Sequence, residues 1–176
     1  YGFQEDGIAL TYLRLESQGG ILCTWETGMG KSHLAMALAS FLIEDGIIDH
    51  VLLVAEKQKI TKDEWPSDLA KFTSMTYAVH HGTGREKRLE KNGLPQILLT
   101  TYETGKADLV RFIRMPGQRG RTTQEHYLLR LLKGKRLLVV FDESGKLKNR
   151  ESDNYKAWFY ALNHLRKAAY TRVLAM

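Results

Sequence analysis

The stretch Gly19-Gly20-Ile21-Leu22-Cys23-Thr24-Trp25-Glu26-Thr27-Gly28-Met29-Gly30-Lys31-Ser32 decides the reading of this chain. Gly20 to Thr24 is an apolar run of strand length, and the residues after Lys31 have helical spacing, so the glycine-rich turn joins a strand to a helix. In that context Thr27, Gly28, Met29, Gly30, Lys31 and Ser32 form a candidate phosphate cradle that would bind ATP with Mg²⁺. Gly28 and Gly30 let the backbone turn its N–H groups inward, and the helix start adds the positive end of its dipole. Lys31 can reach the β- and γ-phosphates, and the Ser32 hydroxyl can ligate Mg²⁺. A plain strand-to-helix turn with an accidental lysine is a weak competitor, because Gly-x-Gly-Lys-Ser/Thr arises by chance in under about one chain in a hundred of this length. The full pattern wants glycine where Trp25 stands, so the entry of the loop is non-standard.

Outward from this loop, further strand-length apolar runs occur at His50 to Ala55, Thr76 to His80, Gln96 to Thr101, Arg136 to Phe141 and Thr171 to Met176. Helical spacing fills most of the gaps: Leu34, Leu38, Phe41 and Leu42 share one face, as do Tyr155, Trp158, Leu162 and Leu165. Strand and helix in alternation imply an α/β domain of three layers, a mainly parallel central sheet with helices on both faces. Thr61 followed by Glu64 reads as a capping box opening a helix from about Lys62 to Phe72, with Pro66 tolerated near its first turn. Arg114 to Thr123, with Pro116, Gly117, Gly120 and three arginines, reads as an exposed basic loop.

The run Leu137 to Phe141 ends in Asp142-Glu143, which puts two carboxylates at the C-terminal edge of a buried parallel strand, where open α/β sheets bind ligands. Asp142 would hold Mg²⁺, through water, and Glu143 would polarise the attacking water as general base. An apolar strand ending in acids is common by itself; joined to the phosphate loop it becomes specific. Together the two motifs supply the parts of phosphoryl transfer in cis except an arginine finger.

Of the 176 residues, 43% are hydrophobic and 26% charged, which fits one globular domain. The 26 Lys and Arg against 20 Asp and Glu leave a net charge of +6, favouring polyanions such as ATP or nucleic acid. The single cysteine, Cys23, excludes an internal disulfide framework and reads as a core residue of a reducing compartment. No segment has the apolar length of a membrane span, so the expectation is a soluble intracellular protein, in cytoplasm, nucleoid or nucleus, without a membrane partner. Ending directly after a strand-like run, the chain reads as a fragment of something longer.

These motifs in this order resemble the Swi/Snf-like double-stranded DNA translocases of helicase superfamily two, specifically their first RecA-like lobe, over nearly the whole chain. Phe3-Gln4 with Gly7 is similar to that family's adenine-reading glutamine motif, and Gly19 to Leu22 to its Gly-Gly-Ile-Leu. Val51 to Ala55 followed by Trp65, His81-Gly82-Thr83 with Arg88, Thr100-Thr101-Tyr102-Glu103, and Asp142-Glu143-Ser144 with Leu147-Lys148-Asn149 resemble its later motifs. The resemblance implies a P-loop RecA-like ATP-binding helicase domain over residues 1–176, a DNA-dependent ATP hydrolase in the whole protein. It implies that Gln4 selects adenine and that Gly82, Thr83, Thr100 and Thr101 contact one DNA strand through its phosphates, which carry no sequence code. It also implies a second RecA-like lobe bearing the arginine finger, without which this lobe binds ATP yet hydrolyses it poorly. Gly145 stands where the family has histidine, which bears on the coupling of ATP state to DNA grip.

Two other readings remain open at this point. A helicase-loader ATPase of the AAA-plus type shares Gly30-Lys31-Ser32-His33-Leu34-Ala35 but not the flanking motifs. A non-catalytic, ATP-gated DNA-binding module would explain Trp25 and Gly145 but not intact Lys31, Ser32, Asp142 and Glu143. The adjacent pair His80 and His81 lacks zinc-ligand spacing, and Trp158, Phe159 and Tyr160 read as core. Arg85, Lys87, Arg88 and Lys91 read as a solvated helix face.

Overall fold

The computed structural model describes residues 2–26, 28–114 and 121–176, with side chains from residue 5 onward. Its strands are β1 (Gly20–Leu22), β2 (His50–Ala55), β3 (Tyr77–His80), β4 (Ile97–Thr101), β5 (Val110–Ile113), β6 (Thr122–Glu125), β7 (Leu137–Phe141) and β8 (Thr171–Ala175). Its helices are α1 (Gly2–Gln18), α2 (Lys31–Glu44), α3 (Lys57–Thr61), α4 (Glu64–Phe72), α5 (Arg85–Asn92), α6 (Tyr102–Leu109), α7 (Tyr127–Leu132) and α8 (Asp153–Ala168). Six strands form one parallel sheet in the order β1-β8-β7-β2-β4-β3. These are the six runs legible in the sequence, and the fold is the expected α/β, RecA-like sandwich.

Burial on both faces explains why the central strands are apolar without alternation. Val51, Leu53 and Ala55 of β2, Ile97 and Leu99 of β4, and Leu138 and Val140 of β7 pack on one side with Leu34, Leu38 and Leu42 of α2 and with Trp65 and Leu69 of α4. Leu52, Val54, Leu98, Leu137, Val139 and Phe141 point to the other side, against Leu109, Leu128 and Leu129, and Trp158 and Leu165 of α8. Each side chain in these strands therefore faces one of two cores by the period of two.

Several local expectations are corrected. No capping box forms, because the Thr61 hydroxyl donates to the Lys57 carbonyl (2.9 Å) one turn back and closes α3 there. The chain then turns through Asp63 in the left-handed region (φ 64°), and α4 starts at Glu64 with Pro66 in its first turn. Phe41 is 48% exposed although it shares the stripe of Leu34, Leu38 and Leu42. Phe159 is likewise 54% exposed, while its neighbour Trp158 is buried. Thr122 and Thr123 belong to β6, paired antiparallel with β5, so the C-terminal end of the expected basic loop is strand; Pro116, Gly117 and Gly120 lie outside the described residues.

Candidate nucleotide and nucleic-acid site

The register of the sheet sets the geometry. Leu22 of β1 lies beside Ala175 of β8, and Ala175 beside Phe141 of β7. The glycine-rich loop after β1 and Asp142 therefore leave the sheet at one level, two strands apart, roughly 10 Å at ordinary strand spacing. Cys23 N–H donates to the Ala175 carbonyl (2.7 Å) and Ser144 N–H to the Met176 carbonyl (2.8 Å), tying both exits to β8. After β1 the chain crosses to the face of α2, and after β7 to the face of α8, so the two exits part onto opposite faces of the sheet.

On the β1 side, Gly28 (φ 87°) and Gly30 (φ 86°) both adopt the left-handed conformation that glycine permits, and Gly30 caps α2 with no side-chain partner. The first helical bond runs from Leu34 N–H to the Gly30 carbonyl (2.9 Å), which leaves the amides of Lys31, Ser32 and His33 free at the helix start to meet an anion. Thr27 and the side chain of Gln4 lie outside the described residues, although position 4 falls in the first turn of α1. Trp25 packs against α1: a Cβ on Gly7 would stand 2.3 Å from its ring, so glycine at position 7 makes room for the indole. The residue that breaks the phosphate-loop pattern thus seats α1 at the mouth of the loop.

On the β7 side, Asp142 is 4% exposed and Glu143 has a half-exposed side chain. Glu143 holds φ 59°, a left-handed conformation that costs a non-glycine residue roughly 1 kcal/mol. Three side chains from elsewhere support the pair. The Trp65 indole donates to Asp142 Oδ2 (2.8 Å), Lys59 donates to the same oxygen (3.0 Å) and to Glu143 Oε1 (3.3 Å), and the Tyr102 hydroxyl donates to the Asp142 carbonyl (2.8 Å). Burial pulls the Lys59 ammonium down, but its bonds to the two carboxylates prevail and its pKa stands above the ordinary lysine value. Burial also pushes the Tyr102 phenol well up, so it remains a donor.

No group of three or more His, Cys, Asp or Glu that could hold a metal by itself occurs among the described residues. The residues fit an ion that arrives with a nucleotide: the Ser32 hydroxyl and an acidic pair, buried Asp142 and half-exposed Glu143, already bridged by an ammonium.

The other end of the same sheet edge carries the loop His81-Gly82-Thr83. Gly82 and Thr83 are exposed. Their carbonyls are held from behind: Arg85 donates to Gly82 O (3.0 Å), and Arg88 to Thr83 O (2.7 Å) and His81 O (2.8 Å). These arginines are therefore clamps on the loop, not merely a solvated helix face. Beneath them Asp108 accepts from Arg85 through both oxygens, from His80 Nε2 (2.9 Å) and from the Tyr127 hydroxyl (2.9 Å). Thr100 and Thr101 are 0% and 1% exposed. Thr100 Oγ1 donates to the His80 carbonyl (3.2 Å), and Thr101 Oγ1 caps α6 by accepting from Thr104 N–H (3.0 Å), so neither hydroxyl is presented to a strand outside. Lys59, Asp108 and Tyr127 carried no signal in the sequence, since each acquires its role only through a distant partner.

The profile of the family described as "Type III restriction enzyme, res subunit" matches residues 4–173. The chain belongs to that family. Solved structures agree on the fold: the Sulfolobus solfataricus SWI2/SNF2 ATPase core in complex with dsDNA (21% identity, TM-score 0.69, 98% of this chain and 30% of that chain). The Pyrococcus furiosus Hef helicase domain is similar (16% identity, TM-score 0.68, 98% and 32%), as is the Sulfolobus solfataricus SWI2/SNF2 ATPase core domain by itself (20% identity, TM-score 0.62, 98% and 29%). This chain thus spans about a third of the length of those structures. No curated protein gives a significant match to the sequence. Family and fold together make this a helicase-like ATPase domain of RecA-like fold. No helix among the described residues is long and apolar enough to cross a membrane. At Gly145, where the Swi/Snf-like pattern has histidine, an added Cβ would meet only the end of Lys148, at 3.5 Å, so the backbone there accommodates a side chain.

Proposed function

We propose that this lobe binds and hydrolyses Mg-ATP in response to duplex DNA, as the ATP-binding half of a double-stranded DNA translocase completed by a second RecA-like lobe. The observation that carries the reading is the single level of the sheet at which the phosphate loop and the acidic pair emerge. Lys31 and the amides of Lys31 to His33 receive the β- and γ-phosphates. Ser32 and Asp142 hold the magnesium ion, which offsets charge on the transferring phosphoryl group. Glu143, half-exposed beside Asp142, orients the attacking water and takes its proton. Gln4 reads the adenine, Gly82 and Thr83 touch the phosphates of one strand, and Thr100 and Thr101 shape the edge beneath them. Backbone contact predicts binding that is indifferent to sequence and weakens with salt.

Binding of a fluorescent ATP analogue to this chain, followed by turnover of the lobe joined to its partner lobe with and without duplex at fixed salt, tests the reading. Lys31→Ala should abolish nucleotide binding, and Glu143→Gln should bind ATP yet drop turnover by about 10²-fold or more. Turnover indifferent to duplex would refute the DNA-dependent motor, and unchanged turnover in Glu143→Gln would remove Glu143 as base.

A further inference from the structure

The acidic pair already carries a cation supplied by the chain. Lys59 Nζ lies between the carboxylates, 3.0 Å from Asp142 Oδ2 and 3.3 Å from Glu143 Oε1. It comes from α3, on the strand-to-helix connection after β2, the sheet neighbour of β7. Among the described residues the phosphate-loop lysine, Lys31, makes no ion pair with either carboxylate, so Lys59 is their counter-ion.

The two donors on Asp142 Oδ2 differ in their freedom to leave. Trp65 is 2% exposed and packed into the core beside Leu69 and Ile60, so its indole cannot withdraw without opening that core. The Lys59 side chain is 31% exposed on a flexible four-carbon stem and can swing into water. Asp142 Oδ1 takes no bond from another described residue and is not a buried unsatisfied atom, which leaves it for an incoming ligand. An indole that stays, an ammonium that can leave and an oxygen left open describe a site arranged for cation exchange.

We propose that Lys59 is an internal stand-in for the nucleotide's magnesium: before nucleotide binds it neutralises Asp142 and Glu143, it competes with free divalent cations, and it is displaced when Mg²⁺ arrives bound to ATP. Trp65 is the positioning residue that keeps Asp142 oriented through the exchange. The inference rests on the reading of Asp142 as a magnesium-holding carboxylate. Its consequence is selectivity for the metal–nucleotide complex over the bare ion. A free divalent ion must expel the ammonium with only these carboxylates and water as ligands, whereas Mg-ATP brings phosphate oxygens and engages Lys31 as well.

The test is a Mg²⁺ series on this chain, reading the affinity of a fluorescent ATP analogue, together with Mn²⁺ binding in the absence of nucleotide followed by electron paramagnetic resonance. Lys59→Met should lower the Mg²⁺ concentration for half-maximal nucleotide binding by about fivefold, the scale of one partly exposed ion pair. It should also gain Mn²⁺ binding without nucleotide, while Lys59→Arg keeps the wild-type behaviour. Lys59→Gln repeats the measurement should the methionine variant fail to fold. A wild type whose nucleotide binding ignores Mg²⁺ would overturn the reading of Asp142 and the inference with it. A Mg²⁺-dependent wild type with an unchanged or raised midpoint in folded Lys59→Met or Lys59→Gln would overturn the inference alone.

Discussion

Replacing Asp108 by asparagine tests how the loop at Gly82 and Thr83 is held. Asp108 is 2% exposed and accepts from Arg85, His80 and Tyr127, four donors on two oxygens. Asparagine keeps the shape, but its amide turns one acceptor into a donor facing a donor and leaves Arg85 without its counter-charge. Removing one partner of a buried pair costs about 3–5 kcal/mol; with Arg85 29% exposed and able to regain water, about 2–3 kcal/mol is expected at pH 7. Burial pushes the Asp108 carboxyl up, but the bonds from Arg85, His80 and Tyr127 prevail and hold it well below the usual carboxylate range. A depressed folded pKa contributes stability above the unfolded value of about 3.9 that is lost as pH falls below it. Urea denaturation should therefore show the gap between wild type and Asp108→Asn narrowing by about 1 kcal/mol from pH 5 to pH 3. A gap below about 0.5 kcal/mol at pH 7, within the range of an ordinary surface substitution, or one that does not change with pH, would refute the network as drawn.

Two further substitutions probe the packing around the site. In Gly105→Ala the new Cβ would stand 2.5 Å from Trp158 Cζ2 and 3.2 Å from Thr100 Cγ2, so overpacking should outweigh the gain in helix propensity and cost about 1–2 kcal/mol, read as a lower urea midpoint with altered tryptophan emission. At Glu143, with φ 59°, glycine should be more stable than alanine by about 1 kcal/mol, because only glycine relieves the left-handed strain; equal thermal midpoints for the two variants would count against strain there.

The six sheet strands, the two-faced burial, the glycine-rich turn between β1 and α2 and the acidic pair after β7 were legible in the sequence because each is a local pattern: a run of apolar residues, a glycine spacing, a strand that ends in acids. Local pattern also misled. Thr61 and Glu64 have the spacing of a capping box, but the Thr61 hydroxyl is taken by Lys57 behind it. For Thr100 and Thr101 it was the resemblance, not the local pattern, that implied contact with DNA; in the structure their hydroxyls are taken up by the sheet neighbour β3 and the cap of α6. Only the tertiary structure brings Lys59 and Trp65 onto Asp142, and His80, Arg85 and Tyr127 onto Asp108. A hydrogen bond between residues far apart in the chain leaves no periodicity to read. It exists because the parallel sheet carries the ends of β2, β3, β4 and β7 to one edge, where polar side chains withdrawn from water satisfy one another.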